Sequence, residues 1–462
     1  MEWQATWEDP FAGYVRHFGA LVGDQRTWVT FREVLRGVIV SGSLVCKRIA
    51  DHSAVLAKVA KDGAQRVIRL VTGESTRRSQ LDAENLVDKL CRRGISQLSQ
   101  SDTDDLWLIC DGCDLRKPYA REMPALMKVR DLDGKPVPGY RTINVLGVTP
   151  GRRGILYHRL FSTQEKDFTS ESAEIQRALQ AVSAAVEPLR ERMAVTWIVD
   201  RGFDDIAVWR SIWEQKEHLL CRISHDERQV QFIGKHGRWR RGDIGQARQK
   251  LRLLALVETE MMACIGRQKT PKLQSVVVKV RACPIRLTYE SNVRRGGPGE
   301  KLQQPLWLVE VEVQQASMSP WLLVTDWPVT DEPSALRIFR MYRQRWAVED
   351  SFKFIKTCLG WEEVQLLNLE GIRTLVALAW VAAGFLYELG ITLEWPEVQL
   401  LARLGGWETR KDRPPGKLIL LRGLQRLMDM CVTHIVLQDY IAKHGPLSPR
   451  LAALIGPLPA EL

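Results

Sequence analysis

The order of β-prone and helical segments between residues 106 and 224 constrains the fold of this chain most strongly. Three β-prone segments, at 106–112, 140–149 and 152–161, come first. A helical segment, an apolar strand at 194–200, a second helical segment and another strand then follow in turn. Strands in succession, and then in alternation with helices, are typical of a mixed sheet covered by helices. The sequence therefore predicts an α/β (α+β) fold.

Charge and composition favour a polyanionic partner. The 462 residues include 66 Lys and Arg against 55 Asp and Glu, a formal net charge of +11, and such a surplus favours nucleic acid or an anionic membrane. The longest apolar run, Leu375–Tyr387, is too short to cross a bilayer and predicts a buried helix. The first residues, MEWQATWEDPFAGYV, lack the basic and apolar regions of a secretory signal. We therefore expect a cytoplasmic protein that binds nucleic acid and no membrane.

Residues 1–100 have the periodicity of helices and carry many basic side chains. Two helices around an Asp-His-Ser turn have four cations nearby, at Arg32, Arg36, Lys47 and Arg48. This arrangement fits a helix-turn-helix-like module, and it fits an ordinary helical bundle with a solvated basic face equally well.

The alternation of strands and helices stops after residue 225. Residues 226–326 combine β-prone runs with basic, Gly-rich stretches, and they predict a mostly β insertion. A start signal around Asp331 then predicts a long helix that ends near Gly360. The chain from residue 361 onward is predicted to be largely helical.

Two carboxylates follow apolar strands. Asp111 comes after the LWLIC segment and Asp200 after the VTWIV segment, so each is predicted to stand at the end of a buried strand, where solvent reaches it. Two carboxylates brought together there can bind a hard divalent cation such as Mg²⁺. Each also has a structural alternative, because Asp111 precedes Gly112 as in a turn and Asp200 precedes Gly202 as in a helix cap.

The predicted long helix carries polar and apolar residues on neighbouring faces. At about 100° per residue, one sector contains Tyr342, Arg345, Glu349, Lys353 and Lys356. A carboxylate among basic and phenolic groups suits a metal ligand flanked by donors to phosphate. The alternative is a solvated face with an ordinary Glu349–Lys353 pair. An adjacent apolar stripe is predicted to face the core, and it consists of Met341, Val348, Phe352, Ile355 and Leu359.

The spacing of four of these helix residues is specific. The pattern Tyr342-x2-Arg345-x3-Glu349-x6-Lys356 resembles the YREK signature of bacterial DDE transposases of the insertion-sequence-four group. Members of this group carry a β-strand insertion between the second Asp and the Glu, which agrees with the insertion predicted above.

Two upstream segments resemble the acidic motifs of the same group. VDRGFDD around Asp200 resembles the second-Asp motif, and CDGCDLRKP resembles the first. The first motif offers both Asp111 and Asp114, and we prefer Asp111 because it directly follows the strand. The resemblance covers about residues 105–360.

The resemblance implies an RNase H-like mixed sheet with flanking helices, interrupted by the mostly β insertion and accompanied by helical N- and C-terminal regions. It implies that Asp111, Asp200 and Glu349 are the catalytic residues and hold Mg²⁺, for which Mn²⁺ would substitute. It also implies DNA contacts, at Tyr342, Arg345, Lys353 and Lys356.

One tryptophan of the insertion is implied to contact DNA as well. PWLLVTDWPV resembles the end of the insertion in hairpin-forming members, so that Trp321 would stack on a flipped base. The alternative for Trp321 is a core residue at a strand start. Trp239, within RWRRG, is a further candidate for a surface contact to DNA.

The implied function is cut-and-paste transposition by two-metal phosphoryl transfer, with nicking, hairpin formation and opening, and strand transfer. The partners would be double-stranded DNA, both terminal inverted repeats and target, and a second copy in a homodimer. The place of action would be the bacterial cytoplasm, at the nucleoid. The alternatives are an RNase H-like nuclease without strand transfer and a non-catalytic, transposase-derived DNA-binding regulator.

These expectations divide the chain into five parts. They are a helical DNA-binding domain at 1–100, the first part of the catalytic core at 101–225, the β-rich insertion at 226–326, the second part of the core with the Glu-bearing helix at 327–395, and a helical C-terminal region, suited to dimerisation, at 396–462.

Overall fold

The structure is a computed structural model, and it describes residues 10–53, 55–56, 60–73, 81–234, 236–265, 272–290, 301–407 and 415–455. Within these residues one sheet contains twelve strands. They are β1 (Asp105–Arg116), β2 (Met127–Arg130), β3 (Pro136–Thr149), β4 (Arg152–Phe161), β5 (Ala194–Val199), β6 (His218–Arg222), β7 (Gln229–Ile233), β8 (Trp239–Asp243), β9 (Arg252–Ala263), β10 (Lys272–Glu290), β11 (Lys301–Val313) and β12 (Trp321–Thr325).

Helices flank this sheet and form both ends of the described chain. They are α1 (10–16), α2 (Gln25–Ser41), α3 (Cys46–Asp51), α4 (Ala60–Thr72), α5 (Ala83–Leu98), α6 (Glu171–Val186), α7 (Ile206–Glu214), α8 (Ile244–Arg248), α9 (Glu332–Arg343), α10 (Trp346–Cys358), α11 (Leu369–Thr392), α12 (Trp395–Leu404), α13 (Lys417–His444) and α14 (Pro449–Ile455).

The sheet is mixed, as the sequence predicts. Strand β1 pairs antiparallel with β3 and parallel with β5, and β5 pairs parallel with β6. Beyond β6 the order continues as β12-β11-β10-β7-β8, with antiparallel pairing throughout. The strands between residues 229 and 325 therefore extend the central sheet as the predicted mostly β insertion. The mixed sheet with flanking helices is confirmed, and it is consistent with an RNase H-like fold.

Each face of the sheet is covered by a different helical layer. Because successive side chains of a strand point to opposite faces, Ile109 of β1 and Ile198 of β5 share one apolar cluster with α9, α10 and α11. Trp197 lies on the opposite face and packs with residues of α6 and α7. We call the two faces the α10 face and the α6 face.

The N-terminal helices join the apolar cluster of the α10 face. Phe31 of α2 is fully buried there together with residues of the sheet and of α11. All four of the predicted cations lie within ion-pair distance of a carboxylate. Arg32 and Arg36 lie 3.5 and 3.8 Å from Glu33, Lys47 lies 2.7 Å from Asp51, and Arg48 lies 3.1 Å from Glu363. These contacts are the ones expected of a helical bundle, and a DNA-binding role for this part of the chain stays a prediction.

The prediction of a single long helix after Asp331 is wrong, because two helices occupy this segment. The predicted start is correct, since Asp331 caps α9 and accepts a hydrogen bond from the Ser334 backbone. At the junction of α9 and α10, the N–H groups of Gln344 and Arg345 bond to carbonyls three residues back, not four. This 3₁₀-type tightening ends the α-helical hydrogen-bond pattern. The predicted apolar stripe is nevertheless buried along its whole length.

Helix α11 contains the apolar run that was predicted to be a buried helix. By length and composition this helix could cross a membrane, yet 72% of its most apolar window is buried inside the fold. Residues 375–383 are completely buried, and the helix packs against α4, α5 and β4. The core helix of a soluble protein has the same length and composition, so α11 is explained by its packing.

Candidate active site

The register of two parallel strands brings Asp111 and Asp200 side by side. Strands β1 and β5 pair from Asp105 opposite Ala194 to Cys110 opposite Val199. The next residues on the two strands are Asp111 and Asp200. Asp111 lies two residues after Ile109, and Asp200 lies two residues after Ile198. Because side chains of a strand alternate between the two faces, both carboxylates belong to the α10 face.

The expectation that Asp111 ends its strand is wrong. Strand β1 continues to Arg116, because its pairing with β3 runs on from Asp111 opposite Asn144 to Arg116 opposite Gly139. Only the pairing with β5 stops before Asp111. Asp200 directly follows β5, as predicted. The two carboxylates therefore lie where the parallel pair ends, which keeps their side chains within reach of other elements.

Arg345 connects these two carboxylates to Glu349. Its Nη1 atom lies 3.6 Å from Asp111 Oδ2 and 3.5 Å from Asp200 Oδ2. Its Nη2 atom donates a hydrogen bond to Glu349 Oε1 at 2.5 Å, one turn further along α10. The Arg345 side chain is only 6% exposed. One buried guanidinium thus gathers acidic residues from β1, from the end of β5 and from α10.

Tyr342, in the last turn of α9, contacts the second carboxylate, that of Asp200. Its hydroxyl donates to Asp200 Oδ1 at 3.2 Å, and burial, followed by the negative charge of Asp200, raises the pKa of this phenol. The 3₁₀-type junction places Tyr342 and Arg345 three residues apart on one face, since a 3₁₀-helix has about three residues per turn. Both side chains therefore point to the carboxylates.

The electrostatics of the site favour a cation. The pKa of Asp111 is raised to about 7, chiefly by burial and further by the charges of Asp200 and Glu349, against the lowering effect of Arg345. The single guanidinium thus offsets only part of the combined effect of burial and of the two neighbouring negative charges. Additional positive charge at this place would stabilise the ionised form.

The donor set suits a hard divalent ion. Carboxylate oxygens are the ligands that Mg²⁺ and Mn²⁺ prefer in proteins. Within the described residues, no group of three or more His, Cys, Asp or Glu side chains lies close enough to hold one ion as it stands, and Arg345 lies between the three carboxylates. The residues fit a metal ion by their chemistry, provided that the guanidinium gives up its central position.

The second candidate for the first carboxylate lies elsewhere. Asp114 contacts Arg141 at 3.3 Å and accepts a hydrogen bond from the Arg130 backbone at 3.2 Å. The geometry therefore favours Asp111 over Asp114 as the neighbour of Asp200.

The two lysines of α10 do not contact the carboxylates of the site. Lys356 donates to the Asp114 carbonyl at 2.9 Å and lies 3.4 Å from Glu362. Lys353 is exposed to solvent. The structure thus brings Tyr342 and Arg345 to the site and leaves both lysines on its periphery, so their contacts to DNA stay predictions.

Trp321 occupies the place expected of a core residue at a strand start. It is the first residue of β12 and is 4% exposed, with its ring 5.2 Å from Tyr342 and 6.2 Å from Trp346. Its stacking on a flipped base stays a prediction. It also borders a cavity of about 290 Å³, which is lined by Arg201, Arg222, Met318, Ser319, Trp321, Tyr342, Arg343, Arg345 and Trp346.

Two residues near the site were missed by the sequence analysis. Arg222, the last residue of β6, lies 4.0 Å from Asp200 Oδ1. Asn144 stands opposite Asp111 on β3, so its side chain shares the face of that carboxylate. Both residues sit in strands that were predicted, but only the pairing register shows that they neighbour the aspartates.

A chain of buried hydrogen bonds runs beneath the site. His158 Nδ1 lies 2.7 Å from Asn144 Oδ1, the Asn144 amide donates to Thr142 Oγ1 at 2.9 Å, and Thr142 donates to the Cys113 carbonyl at 3.0 Å. Because an amide oxygen only accepts, His158 carries its proton on Nδ1. Burial lowers the pKa of His158 to about 3. The imidazole is therefore neutral and helps to fix β3 and β4 beside β1.

Comparison with known proteins gives one family match. Residues 127–383, more than half of the chain, match the family described as a transposase DDE domain. The matched segment includes Asp200 and Glu349 and begins after Asp111. A search of curated proteins gave no match.

Among solved structures, the chain resembles a piggyBac transposase in a synaptic complex with hairpin DNA, determined by cryo-electron microscopy. The two chains are 11% identical, the match covers 95% of this chain and 79% of that chain, and the TM-score is 0.43. A likeness this distant says nothing about function.

Proposed function

The chain belongs to the family of proteins with a transposase DDE domain, and on this premise we propose that it is a DNA transposase that moves an element by cut-and-paste transposition. We further propose that it is a member of the insertion-sequence-four group. The support for this finer placement is the spacing of Tyr342, Arg345, Glu349 and Lys356 together with the β-rich segment between Asp200 and Glu349.

One observation carries the proposal. Three acidic side chains from β1, the end of β5 and α10 meet around a single buried guanidinium. Asp111, Asp200 and Glu349 would hold Mg²⁺, or Mn²⁺ in its place. Ions bound there lower the pKa of an attacking water or 3′-hydroxyl and stabilise the negative charge that develops on the leaving oxygen.

The protein contributes position and charge to the reaction. Pairing with β3 holds Asp111, and Asp200 directly follows the paired residues of β5. The Tyr342 hydroxyl fixes the orientation of the Asp200 carboxylate. Glu349 is half-exposed on α10, so its carboxylate is open to solvent, from which DNA would approach. Metal ions bound to the three carboxylates would replace Arg345 as their counter-charge. The N–H groups of Arg345 would then be free to donate to a phosphate oxygen of the substrate.

The proposed reaction is a series of phosphoryl transfers at each transposon end. Water first attacks a phosphorus atom, and the 3′-oxygen of one strand leaves. The freed 3′-hydroxyl attacks a phosphorus atom of the opposite strand, the 3′-oxygen of the flanking DNA leaves, and a hairpin forms. Water then attacks the hairpin phosphorus, and the transposon's 3′-oxygen leaves, which opens the hairpin. The regenerated 3′-hydroxyl then attacks a phosphorus atom of the target DNA, and the target's own 3′-oxygen leaves.

The remaining assignments are proposals of the same kind. The N-terminal helices would recognise terminal inverted repeats, and the helices from residue 396 onward would contact a second copy, because two DNA ends must be held together. The protein would act in the bacterial cytoplasm at the nucleoid.

An excision assay tests the proposal. A plasmid that carries the reading frame with its natural flanking DNA is incubated with the protein and Mg²⁺, and the products are sequenced. We expect double-strand breaks at a pair of inverted repeats and joining of the freed ends to a second plasmid. Cleavage without joining would favour a nuclease. Binding with no cleavage in Mg²⁺ or Mn²⁺ would favour a regulator, and either result would overturn the proposal.

A further inference from the structure

Much of the positive charge of the chain is concentrated in one short segment. Residues 228–252 contain eight Lys and Arg and one acidic residue, a formal net charge of +7 out of the +11 of the whole chain. This segment forms β7, β8 and α8 and belongs to no part of the candidate active site. Its arginines therefore need an explanation of their own.

Strand pairing places part of this charge on one face. Trp239 of β8 stands opposite Ile233 of β7, Arg241 stands opposite Gln231, and Arg286 of β10 also stands opposite Gln231. Directly opposite residues share a face of the sheet. On the other face, β7 and β10 are turned inward, because Phe232 and Ile285, which pair with each other, are buried in the cluster of the α6 face. Arg240 of β8 stands opposite Phe232 and covers it from solvent on this face.

The arginine nearest to the middle of the sheet is held in a fixed orientation. The guanidinium of Arg286 lies 4.0 Å from the centroid of the Trp239 ring, a stacking contact that leaves the N–H groups at its edge free to donate. Arg240 is held by a similar contact, 4.7 Å from the Phe232 ring. Such immobilised, planar donors suit phosphate oxygens, because less side-chain freedom is lost on binding.

The neighbouring arginines are exposed and carry uncompensated charge. Arg238, Arg240 and Arg241 are exposed to solvent, and among the described residues no carboxylate lies within ion-pair distance of them. By contrast, Arg248 and Arg281, in the same part of the sheet, are both paired with Glu310. The three exposed arginines thus place positive charge along β8, which ends the strand order of the sheet, beside the Arg286–Trp239 stack.

Part of this charge, at Arg241 and Arg286, lies on the same face of the sheet as the catalytic carboxylates, whereas Arg240 pairs with Phe232 and lies on the other face of β8. Arg286 lies four residues after Ala282 on β10, so the two side chains point to the same face of the sheet. Ala282 is buried in the cluster of the α10 face, together with Ile198. Four strand spacings and four residues of strand separate Arg286 from Asp200, or roughly 20–25 Å. That distance is shorter than one turn of B-DNA. A duplex whose cleaved bond lies at Asp200 can therefore reach this charge.

We propose that Arg238, Arg240, Arg241 and Arg286, with Trp239 as the support of Arg286, bind the phosphate backbone of duplex DNA beside the cleaved site, without reading its sequence. We call these five residues the basic hairpin surface. The inference rests on the proposed function in that the ligand is DNA, and it adds a contact that the cleavage reaction does not require.

The test is the salt dependence of DNA binding. The probe is a short DNA duplex of arbitrary sequence without divalent ions, and the dissociation constant is measured over a range of NaCl concentrations. Each lost phosphate contact reduces the slope of log K against log [salt] by about 0.9. The triple variant Arg238→Gln/Arg240→Gln/Arg241→Gln is expected to lower the slope by about 2 to 3.

Two matched variants separate a local site from net charge. The triple Arg-to-Lys variant at the same positions is expected to keep most of the slope, because the charge remains. A control that removes three exposed cations from other elements is expected to bind like the wild type, and it consists of Arg92→Gln, Lys166→Gln and Lys216→Asn. Trp239→Ala is expected to weaken binding several-fold, and Trp239→Phe to weaken it less.

The outcomes distinguish this surface from the proposed function. If the Gln triple variant and the control lose equal affinity, or if neither differs from the wild type, the basic hairpin surface is not a DNA site, while cleavage by the wild-type protein would still support a transposase. If the wild-type protein binds no DNA duplex at any salt concentration, both proposals are overturned. Thermal unfolding of each variant shows whether a loss of binding reflects a loss of folding.

Discussion

The guanidinium of Arg345 lies 3.6 Å from the carboxylate of Asp111, and the same group contacts Asp200 and Glu349. Without divalent ions, this arginine is the main counter-charge of the site. It therefore links the stability of the site to the presence of metal ions, because an ion that binds the carboxylates takes over the charge that Arg345 provides.

Replacing Arg345 should destabilise the protein most strongly when metal ions are absent. Arg345→Gln leaves three partly exposed carboxylates without their buried cation. Breaking a fully buried pair costs about 3–5 kcal/mol, and we expect a smaller loss here because solvent screens the carboxylates. We expect Mg²⁺ to restore more stability to the variant than it adds to the wild type. The measurement is urea unfolding with Mg²⁺ and with a chelator.

Arg343→Gln is the matched control, since Arg343 contacts Thr259 and the Glu260 carbonyl and none of the three carboxylates. Its unfolding free energy should respond to Mg²⁺ as that of the wild type does. An equal response of Arg345→Gln and the wild type to Mg²⁺ would show that Arg345 does not occupy the place of a metal ion.

Trp321 should matter for folding before it matters for DNA. Its ring is buried against Phe339, Tyr342 and Trp346, and removing a buried aromatic side chain costs about 3–5 kcal/mol. We expect Trp321→Ala to lower the unfolding free energy by this amount and Trp321→Phe to lower it clearly less. A variant Trp321→Ala as stable as the wild type would contradict the core position.

The same two variants test the predicted base stacking. If Trp321 also stacks on a flipped base, the folded Trp321→Phe variant should make the first nick at the normal rate and form hairpins more slowly, because a smaller ring stacks less strongly. Equal rates at both steps would limit Trp321 to its structural role.

His158 should make the fold sensitive to acid. The unfolded chain binds a proton at this histidine below its ordinary pKa of 6.5, whereas the folded protein does so only near pH 3. The stability that this difference contributes is present above pH 6.5 and is lost as the pH falls toward 3, by at most about 1.4 kcal/mol per pH unit.

His158→Gln removes the titrating group and keeps a donor for Asn144 Oδ1. The free energy of unfolding, measured from pH 7 to pH 4, should therefore fall less steeply in the variant than in the wild type. Parallel pH profiles of the two proteins would contradict the neutral, buried state of His158.

The sequence predicted the layers of the fold because they depend on local patterns. The apolar strand at residues 194–199 and the capping signal at Asp331 are contained in a few neighbouring residues, and both were placed correctly. The break between α9 and α10 was missed, since Gln344 and Arg345 are ordinary helix formers. Only their tertiary position, with Arg345 directed at the carboxylates, accounts for the tightened turn.

The candidate site was predictable in its residue types and less so in its geometry. Asp111, Asp200 and Glu349 were chosen from motifs, and the structure brings them around Arg345. That Arg345 would contact carboxylates, and that Arg222 would lie beside Asp200, depends on the register of β1, β5 and β6. Register comes from long-range pairing, which a single sequence does not specify.

The shared role of the three acidic residues is tested most directly by DNA cleavage, with Asp114, which lies near Asp111 on β1, as the control position. Asp111→Asn, Asp200→Asn and Glu349→Gln should each reduce cleavage of a plasmid that carries the flanking DNA to the background rate in Mg²⁺, because each removes a ligand of the metal ions, with duplex binding retained. Asp114→Asn, the matched control on β1, should cleave nearly as fast as the wild type. Full cleavage by Asp111→Asn together with its loss in Asp114→Asn would contradict the central claim that Asp111, Asp200 and Glu349 form one catalytic centre.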